Sequence, residues 1–234
     1  MSIQAGETTF YQANRGIIQD GLVLNLDAGV EESYNGGTTW TDLAGGNNGT
    51  LENGPTFDAG NGGSIVFDGS NDYVSFSTSP LTFSSSNFSV ECIFRTTTDA
   101  VDVMMGHGPT GGGGGDWWLG VNGNGKLQFS ISLPIYKIEP QTSSTVNDNE
   151  WKTGLATINN STYEVKLYLN GSLSDTRSGT GSYPNTGTSL SVGKFGSSSF
   201  NFPGDIACTR IYNRVLSAAE ILQNFNAMKH RFGI

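Results

Sequence analysis

The segment GGGGGDWWLGV, residues 111–121, places chemically useful side chains beside the most pliable stretch of the chain. In a strand, successive side chains point to opposite faces of the sheet, so Trp117 and Trp118 cannot both enter one core. An indole left on the surface offers apolar contact, and the carboxylate of Asp116 can accept hydroxyl hydrogen bonds. With His107 on the other side of the glycine run, these residues form a candidate carbohydrate-binding site.

A structural role is the alternative for the same residues. An outer tryptophan can be covered by a loop, by the amino-terminal arm or by a neighbouring subunit, and a glycine run can be a simple connector. His107 and His230 are the two histidines of the chain, and neither lies in a serine or cysteine hydrolase motif. The alternative for His107 is that it is an exposed loop residue with no role in binding or catalysis. We expect Trp40 and Trp151 to anchor the core.

Composition limits the classes of partner. The 234 residues carry a net charge of -9 with 12 Lys plus Arg, which leaves no basic stripe for phosphates, so we expect no binding to nucleic acid or to anionic membranes. No segment has the length of a membrane span, and the amino terminus lacks the basic and apolar regions of a secretion signal, which predicts a chain made in the cytoplasm. Cys92 and Cys208 lack metal-ligand spacing and are predicted to be free thiols.

The elements that must position these residues are strands. Period-two alternation in GLVLNLDA and FSVECIFR is typical of strands with one buried face. We count about a dozen short strands separated by turns, with 122–125 and 159–160 as hairpin connections. This pattern predicts one all-β domain built as an antiparallel double sheet over residues 21–234, preceded by an arm over residues 1–20.

One segment breaks the strand pattern. Ser217 and Glu220 have the spacing of a capping box, and Gly233 can end a helix. Apolar residues recur at helical spacing after the cap: Ile221, Leu222, Phe225 and Met228. Three basic residues, 229–231, fall in the last turn, where the helix dipole favours positive charge. The sequence therefore predicts a short carboxy-terminal helix over residues 217–230.

The order of these segments resembles a known family. GLVLNLDA, TTWTDLAGGNNGTL, SIVFDGSNDYVSF, FSVECIFR, YEVKLYLNG and FPGDIACTRIYNRVLSAAEI are similar to laminin G-like domains of the concanavalin A-like superfamily, over residues 21–226. The resemblance implies a jelly-roll sandwich of two curved antiparallel sheets. The single domain, the short polar arm and the ending FNAMKHRFGI also resemble virion structural proteins of tailed bacteriophages.

This second resemblance implies a function. It predicts a non-catalytic virion protein that decorates the capsid or the tail, contacts other virion proteins through its arm or a sheet edge, and can form a homo-oligomer. Its exposed sheet would serve adhesion to cell-surface glycans. The alternative is a calcium-dependent carbohydrate-binding module that works outside the cell.

Catalysis is the third hypothesis, because the superfamily includes polysaccharide hydrolases. In hydrolases of this fold the catalytic carboxylates alternate along one strand, as Glu-x-Asp-x-x-Glu or Glu-x-Asp-x-Glu, and this sequence contains neither pattern. Its nearest acidic cluster, Asp148 with Glu150, precedes Trp151 with the wrong spacing. We therefore expect that the protein is not an enzyme.

The resemblance also implies one bound calcium ion. Relatives of this fold supply a carbonyl from an early turn and an aspartate from the last strand, which here correspond to Gly69 and Asp205, with Asp68 or Asp27 assisting. The alternative is that Asp68 and Asp72 only hold their turn through side-chain hydrogen bonds to the backbone.

Overall fold

The computed structural model describes residues 16–80, 83, 86–108, 116–132, 137–180, 189–195 and 200–234. The first eight strands are β1 (Leu22–Asp27), β2 (Thr39–Trp40), β3 (Gly49–Glu52), β4 (Thr56–Asp58), β5 (Ser64–Asp68), β6 (Tyr73–Phe76), β7 (Phe88–Arg95) and β8 (Asp102–Gly108). The second eight are β9 (Trp117–Val121), β10 (Leu127–Ser132), β11 (Lys137–Ile138), β12 (Lys152–Asn159), β13 (Glu164–Leu169), β14 (Ser172–Ser178), β15 (Ser189–Val192) and β16 (Pro203–Tyr212). Helix α1 (Ala218–Phe232) follows β16.

The strands form two antiparallel sheets of eight strands each. Sheet A has the order β14-β13-β12-β7-β16-β5-β4, and β1 pairs with β16 beyond the end of β5. Sheet B has the order β11-β10-β9-β8-β15-β6-β3-β2. This architecture confirms the predicted antiparallel sandwich with a short carboxy-terminal helix.

Short polar turns connect neighbouring strands at the predicted positions. The amide of Asn122 donates to the carbonyl of Lys126 across the β9–β10 connection, and Asn159 pairs with Glu164 across the β12–β13 connection. The short turn after β5, residues 69–72, does not close a hairpin, because β5 belongs to sheet A and β6 to sheet B. The chain therefore crosses between the sheets at Gly69.

The core lies between the inner faces of the two sheets. Phe88, Val90, Cys92 and Phe94 enter it from β7, as the alternation predicts, and Cys92 has an unpaired thiol. The other side of β7 is buried as well, with Glu91 and Ile93 each no more than 1% exposed. The expectation that such a strand has only one buried face is therefore wrong for β7.

Helix α1 covers the outer face of sheet A. Ser217 accepts a hydrogen bond from the amide of Glu220, and Glu220 reaches back to the amide of Ser217, which confirms the capping box. The helix runs to Phe232, two residues beyond its predicted end, and Gly233 closes it in the left-handed conformation. The buried side chains of the helix are Ile221, Asn224, Met228 and Phe232.

The buried face of α1 differs from the predicted apolar pattern at Leu222 and at Phe225, which is only partly buried. Leu222 is 47% exposed, whereas the neighbouring polar residue Asn224 is fully buried. The amide of Asn224 accepts from the backbone of Ile18 and donates to the hydroxyl of Tyr212. Ile17 is 4% exposed in the apolar cluster beneath the helix, so the last residues of the predicted arm are packed against the domain.

A group of buried charged residues lies beside the apolar clusters in the layer between α1 and sheet A. The guanidinium of Arg210, which is fully buried, donates to Glu91 at 3.1 Å and to Asn25 at 3.1 Å. Arg231 from the helix pairs with Asp27 on β1. Because each buried cation meets a carboxylate, this layer joins the helix to the sheet without an uncompensated charge.

Candidate functional site

The two adjacent tryptophans of β9 face opposite sides of sheet B. Trp117 is fully buried and lies against Phe83, Phe88 and Phe129, with ring centroids 5.1, 5.6 and 6.0 Å away. Trp118 is partly exposed on the outer face of the sheet. The alternation of the strand causes this division, so Trp118 alone of the pair can meet a ligand. Trp117 is thereby removed from the predicted site.

His107 also belongs to the core, which corrects its predicted place at the edge of a surface site. Strand β8 continues through Gly108, so His107 is a strand residue and is only 2% exposed. Its ring lies 4.5 Å from Phe83 and stacks on Trp117 at 6.2 Å. Burial lowers the pKa of His107 to about 4, so the imidazole is neutral near pH 7. The glycines 111–115 lie outside the described residues.

Asp116 lies on the same side of sheet B as Trp118, two residues earlier in the chain. It is 7% exposed, and its carboxyl carbon is 3.1 Å from the position that a β-carbon on Gly108 would occupy. The glycine at 108 thus leaves the space that the carboxylate fills. Of the four residues predicted for carbohydrate binding, the structure brings Asp116 and Trp118 together on the outer face of sheet B.

The pairing of the strands places Trp118 in a row of side chains that crosses sheet B. Residues directly opposite one another on successive strands form this row: Ser130, Trp118, Gly106, Ser191, Ser75, Thr50 and Thr39. The chain neighbours of these residues include core residues such as Phe129, Leu190 and Trp40, so the row itself faces outward. We call it the hydroxyl row, because five of its seven members are serine or threonine.

A second aromatic ring lies on the hydroxyl row beside Trp118. Gly106 is directly opposite Trp118, and a β-carbon at this position would lie 2.6 Å from the ring of Phe195. Only glycine lets that ring lie against the sheet. Sequence analysis missed Phe195 and the serines of β15, although the alternation in SLSVGKF carries a signal for Ser189 and Ser191 on one face.

Carboxylates border the hydroxyl row on two strands. The hydroxyl of Ser130 donates to Glu139 at 2.9 Å, and that of Ser75 donates to Glu52 at 2.8 Å. The ammonium of Lys194 lies 4.4 Å from the ring centroid of Tyr73 on the same sheet. This face therefore offers aromatic surface, hydroxyl groups and carboxylate acceptors, which together suit a ligand rich in hydroxyl groups.

The residues predicted to bind calcium do not fit one ion. The carboxylate of Asp27 pairs with Arg231, and that of Asp205 pairs with Arg95 at 3.2 Å and accepts from the hydroxyl of Ser64. No cluster of three or more His, Cys, Asp or Glu side chains able to hold a metal occurs in the described residues. A guanidinium already occupies the place that a cation would take at each of these two carboxylates.

The strand pairing in sheet A also shows how far apart the two assisting aspartates, Asp27 and Asp68, lie. Asp27 is opposite Cys208 on β16, whereas Asp68 is opposite Pro203, five residues along that strand. At about 3.3 Å per residue these positions are about 16.5 Å apart, so Asp27 and Asp68 cannot assist at the same ion. The carboxylate of Asp68 instead accepts from the amide of Ser70 at 2.7 Å, and that of Asp72 accepts from the amide of Asp68 at 3.1 Å. These bonds confirm the alternative role of both aspartates in the turn.

Two further groups have structural roles. Asp148 accepts from the ammonium of Lys152 at 2.9 Å and from the amide of Glu150, which fixes the turn before β12. Cys92 and Cys208 are free and buried, and burial raises the pKa of both thiols. Neither group supplies a nucleophile at the surface.

No helix in the described residues is long and apolar enough to cross a membrane.

Comparison with protein families gives one match. The family model described as the concanavalin A-like lectin/glucanases superfamily, of the laminin G type, matches residues 68–222. A search of curated proteins gives no match.

Solved structures with the same fold include two that are described as binding domains. The binding domain of Paraclostridial Mosquitocidal Protein 1 superposes with a TM-score of 0.69 at 20% identity, and that of Botulinum neurotoxin DC, in complex with rat synaptotagmin II, with 0.70 at 17%. The superpositions cover 89% and 90% of this chain, which spans about half, 52%, of each of those structures. Domain 4 of the extracellular arabinanase AbnA from Geobacillus stearothermophilus, in complex with arabinotriose, gives 0.68 at 15%, over 88% of this chain and 98% of that domain.

Proposed function

This chain belongs to the concanavalin A-like lectin/glucanases superfamily, and on that basis we propose that it is a non-catalytic carbohydrate-binding domain whose ligand lies on the outer face of sheet B. The observation that carries the proposal is the partly exposed indole of Trp118, set among hydroxyl and carboxylate side chains on the one outer sheet face that α1 leaves open. An indole face against a sugar ring, with polar groups around it, is a common basis of carbohydrate recognition. The arabinotriose complex of a domain with this fold supports a sugar ligand.

The two carboxylates that accept hydrogen bonds from the hydroxyl row, Glu139 and Glu52, are too far apart to act together in hydrolysis. Ser130 and Ser75, the serines that donate to Glu139 and Glu52, lie four strands apart on the hydroxyl row. Four strand spacings amount to about 19 Å. Hydrolysis of a glycosidic bond needs two carboxyl groups about 5–9.5 Å apart, so this pair is too widely separated. The burial of His107 in the core removes its imidazole as a general base at this face.

The test is a glycan array followed by titration with the glycans that bind. We expect Trp118→Ala to weaken binding at least about ten-fold, because truncation of a central aromatic contact typically has an effect of this size. The matched control is Phe57→Ala, which removes another exposed aromatic ring, 46% exposed, from the edge of sheet A. Equal binding by the wild type and Trp118→Ala, with both folded, would exclude this site.

We also propose, from the sequence resemblance, that the domain is displayed on a bacteriophage particle. Strand β14 supports attachment through a sheet edge, because it ends sheet A, its residues are mostly exposed and Leu173 is 54% exposed. An open edge of this kind can pair with a strand of a neighbouring protein. Mass spectrometry of intact phage particles, purified from the lysate that contains this chain, tests the proposal. Absence of the chain from those particles would contradict it.

A further inference from the structure

The distribution of positive charge separates the two sides of the sandwich. The described arginines are Arg95, Arg177, Arg210, Arg214 and Arg231, and they lie on sheet A, just after β16 or on α1. Each pairs with a carboxylate: Arg95 with Asp205, Arg177 with Asp175, Arg210 with Glu91, Arg214 with Glu220 and Arg231 with Asp27. The strands of sheet B contain no arginine in their described residues.

The lysines of sheet B are few and already in contact with other groups. Lys137 on β11 lies 3.9 Å from Glu139, and Lys194 lies over the ring of Tyr73. Around the hydroxyl row the carboxylates of Glu139, Glu52 and Asp116 add negative charge, on a chain whose net charge is -9. Guanidinium groups are the side chains best suited to bind carboxylate, phosphate or sulfate groups, and this face has none among its described residues.

The hydroxyl row gives the open face its shape. It crosses seven neighbouring strands, from Ser130 on β10 to Thr39 on β2, but Ser130 is only 1% exposed. The part of the row that a ligand can reach runs from Trp118 to Thr39, five strand spacings of about 4.8 Å, or about 24 Å. Beyond the aromatic rings of Trp118 and Phe195, the row presents short side chains only, Ser191, Ser75, Thr50 and Thr39, which leave the surface free for an extended ligand.

We infer that the ligand is an extended, uncharged glycan chain that lies along the hydroxyl row, across the strands of sheet B. This inference rests on the proposed function and specifies its ligand class. One sugar unit contacts Trp118 and Phe195. The following units donate hydrogen bonds to Ser191 and Ser75, whose own hydroxyl hydrogens are already bonded to Lys194 and Glu52. Further units exchange hydrogen bonds with Thr50 and Thr39. Glycans with carboxylate or sulfate groups are rejected, because the neighbouring carboxylates repel them and no arginine of the described face binds them.

Calorimetric titration with a fixed panel tests this inference. The panel contains cellohexaose, mannohexaose, xylohexaose and arabinohexaose, the corresponding disaccharides, and hexagalacturonate as the acidic probe. We expect at least one neutral hexasaccharide to bind at least about ten-fold more tightly than its disaccharide, and hexagalacturonate to bind at least about ten-fold more weakly than that hexasaccharide.

A substitution far from Trp118 tests whether the bound glycan runs along the hydroxyl row. Thr50 is exposed on the hydroxyl row, four strands or about 19 Å from Trp118. We expect Thr50→Lys to reduce binding of the hexasaccharide to the level of the disaccharide, while binding of the disaccharide is unchanged. Thr56→Lys is the matched control, because Thr56 is equally exposed but lies on β4 of sheet A.

The outcomes separate the inference from the proposed function. Binding that depends on Trp118 but is as tight for hexagalacturonate as for any neutral chain overturns the inference alone. The inference alone is also overturned if Thr50→Lys binds the hexasaccharide as tightly as the wild type does while Trp118→Ala binds it more weakly. If neither the panel nor the glycan array contains a ligand, or if Trp118→Ala binds as the wild type does, the proposed function itself fails.

Discussion

At the scale of single residues, neighbouring positions in β8 and β9 have opposite roles. His107 and Trp117 enter the core with polar atoms, Nδ1 and Nε1, that have no hydrogen-bond partner within the described part of the chain. Trp118 and Gly106, one residue away on each strand, face outward and form the candidate site. Burial of an unpaired imidazole nitrogen is costly in its neutral form and more so when it is charged.

The buried imidazole predicts a dependence of stability on pH. The pKa of His107 is lowered to about 4 in the folded chain, whereas it is about 6.5 in the unfolded chain, so the unfolded state binds more protons between these values. The free energy of unfolding therefore falls as the pH falls through this window. Between pH 7 and pH 5 we expect His107 to contribute a loss of about 2 kcal/mol.

Urea denaturation of the wild type and of His107→Gln at both pH values measures this contribution. The glutamine cannot take up a proton in this range, so the variant should lose less stability than the wild type on acidification. Equal losses in the two proteins would show that His107 is not buried in the neutral form.

Calcium removal gives a second prediction at this scale. Because Asp27 and Asp205 already pair with arginines and Asp68 holds its own turn, we expect chelation with EDTA to leave the melting temperature unchanged. Differential scanning calorimetry before and after dialysis against the chelator measures it. A fall of several degrees, reversed by calcium but not by magnesium, would restore the calcium site that the resemblance implies.

At the scale of elements, the sequence predicted the positions of the strands better than which of their two faces are buried. Alternation in FSVECIFR correctly places Phe88 and Phe94 in the core, but it cannot show that Glu91 and Ile93 are buried under a helix that follows about 130 residues later. The same limit applies to α1, whose cap is local and was predicted, whereas the burial of Asn224 depends on distant partners. The hydroxyl row was invisible for the same reason, since Thr39 and Trp118 share it only through the pairing of strands.

The buried charges beneath α1 predict an uneven response to loss of a carboxylate. Glu91→Gln removes the negative charge 3.1 Å from the fully buried guanidinium of Arg210, and we expect a loss of about 3 kcal/mol or more in the free energy of unfolding. The matched control is Glu164→Gln, which removes the partner of Lys166 from a pair about one-third exposed, with an expected loss below about 1 kcal/mol.

Chemical denaturation of the two variants compares these losses. Similar small losses in both would mean that water reaches Arg210 and that α1 does not seal the outer face of sheet A.

At the scale of the whole molecule, the sandwich has one covered and one open outer face. Helix α1 and residues 16–20 bury the outer face of sheet A over an ionic layer, whereas that of sheet B carries Trp118, Phe195 and the hydroxyl row. The net negative charge and the placement of the described arginines make the two faces chemically distinct. Within the described residues, the row of hydroxyl groups beside an aromatic pair lies on sheet B.

The four tryptophans give the most direct test of this asymmetry. Trp40, Trp117 and Trp151 are at most 4% exposed, and Trp151 packs against Phe232 of α1, so only Trp118 can touch a ligand. The measurement is a proton–nitrogen NMR titration of the four indole N–H signals, assigned by single Trp→Phe variants, with the neutral hexasaccharide that binds most tightly. The account predicts that the indole N–H signal of Trp118 shifts as the hexasaccharide is added until the site is saturated, and that the signal of Trp151 does not shift. A shift of Trp151 with no change at Trp118 would contradict it.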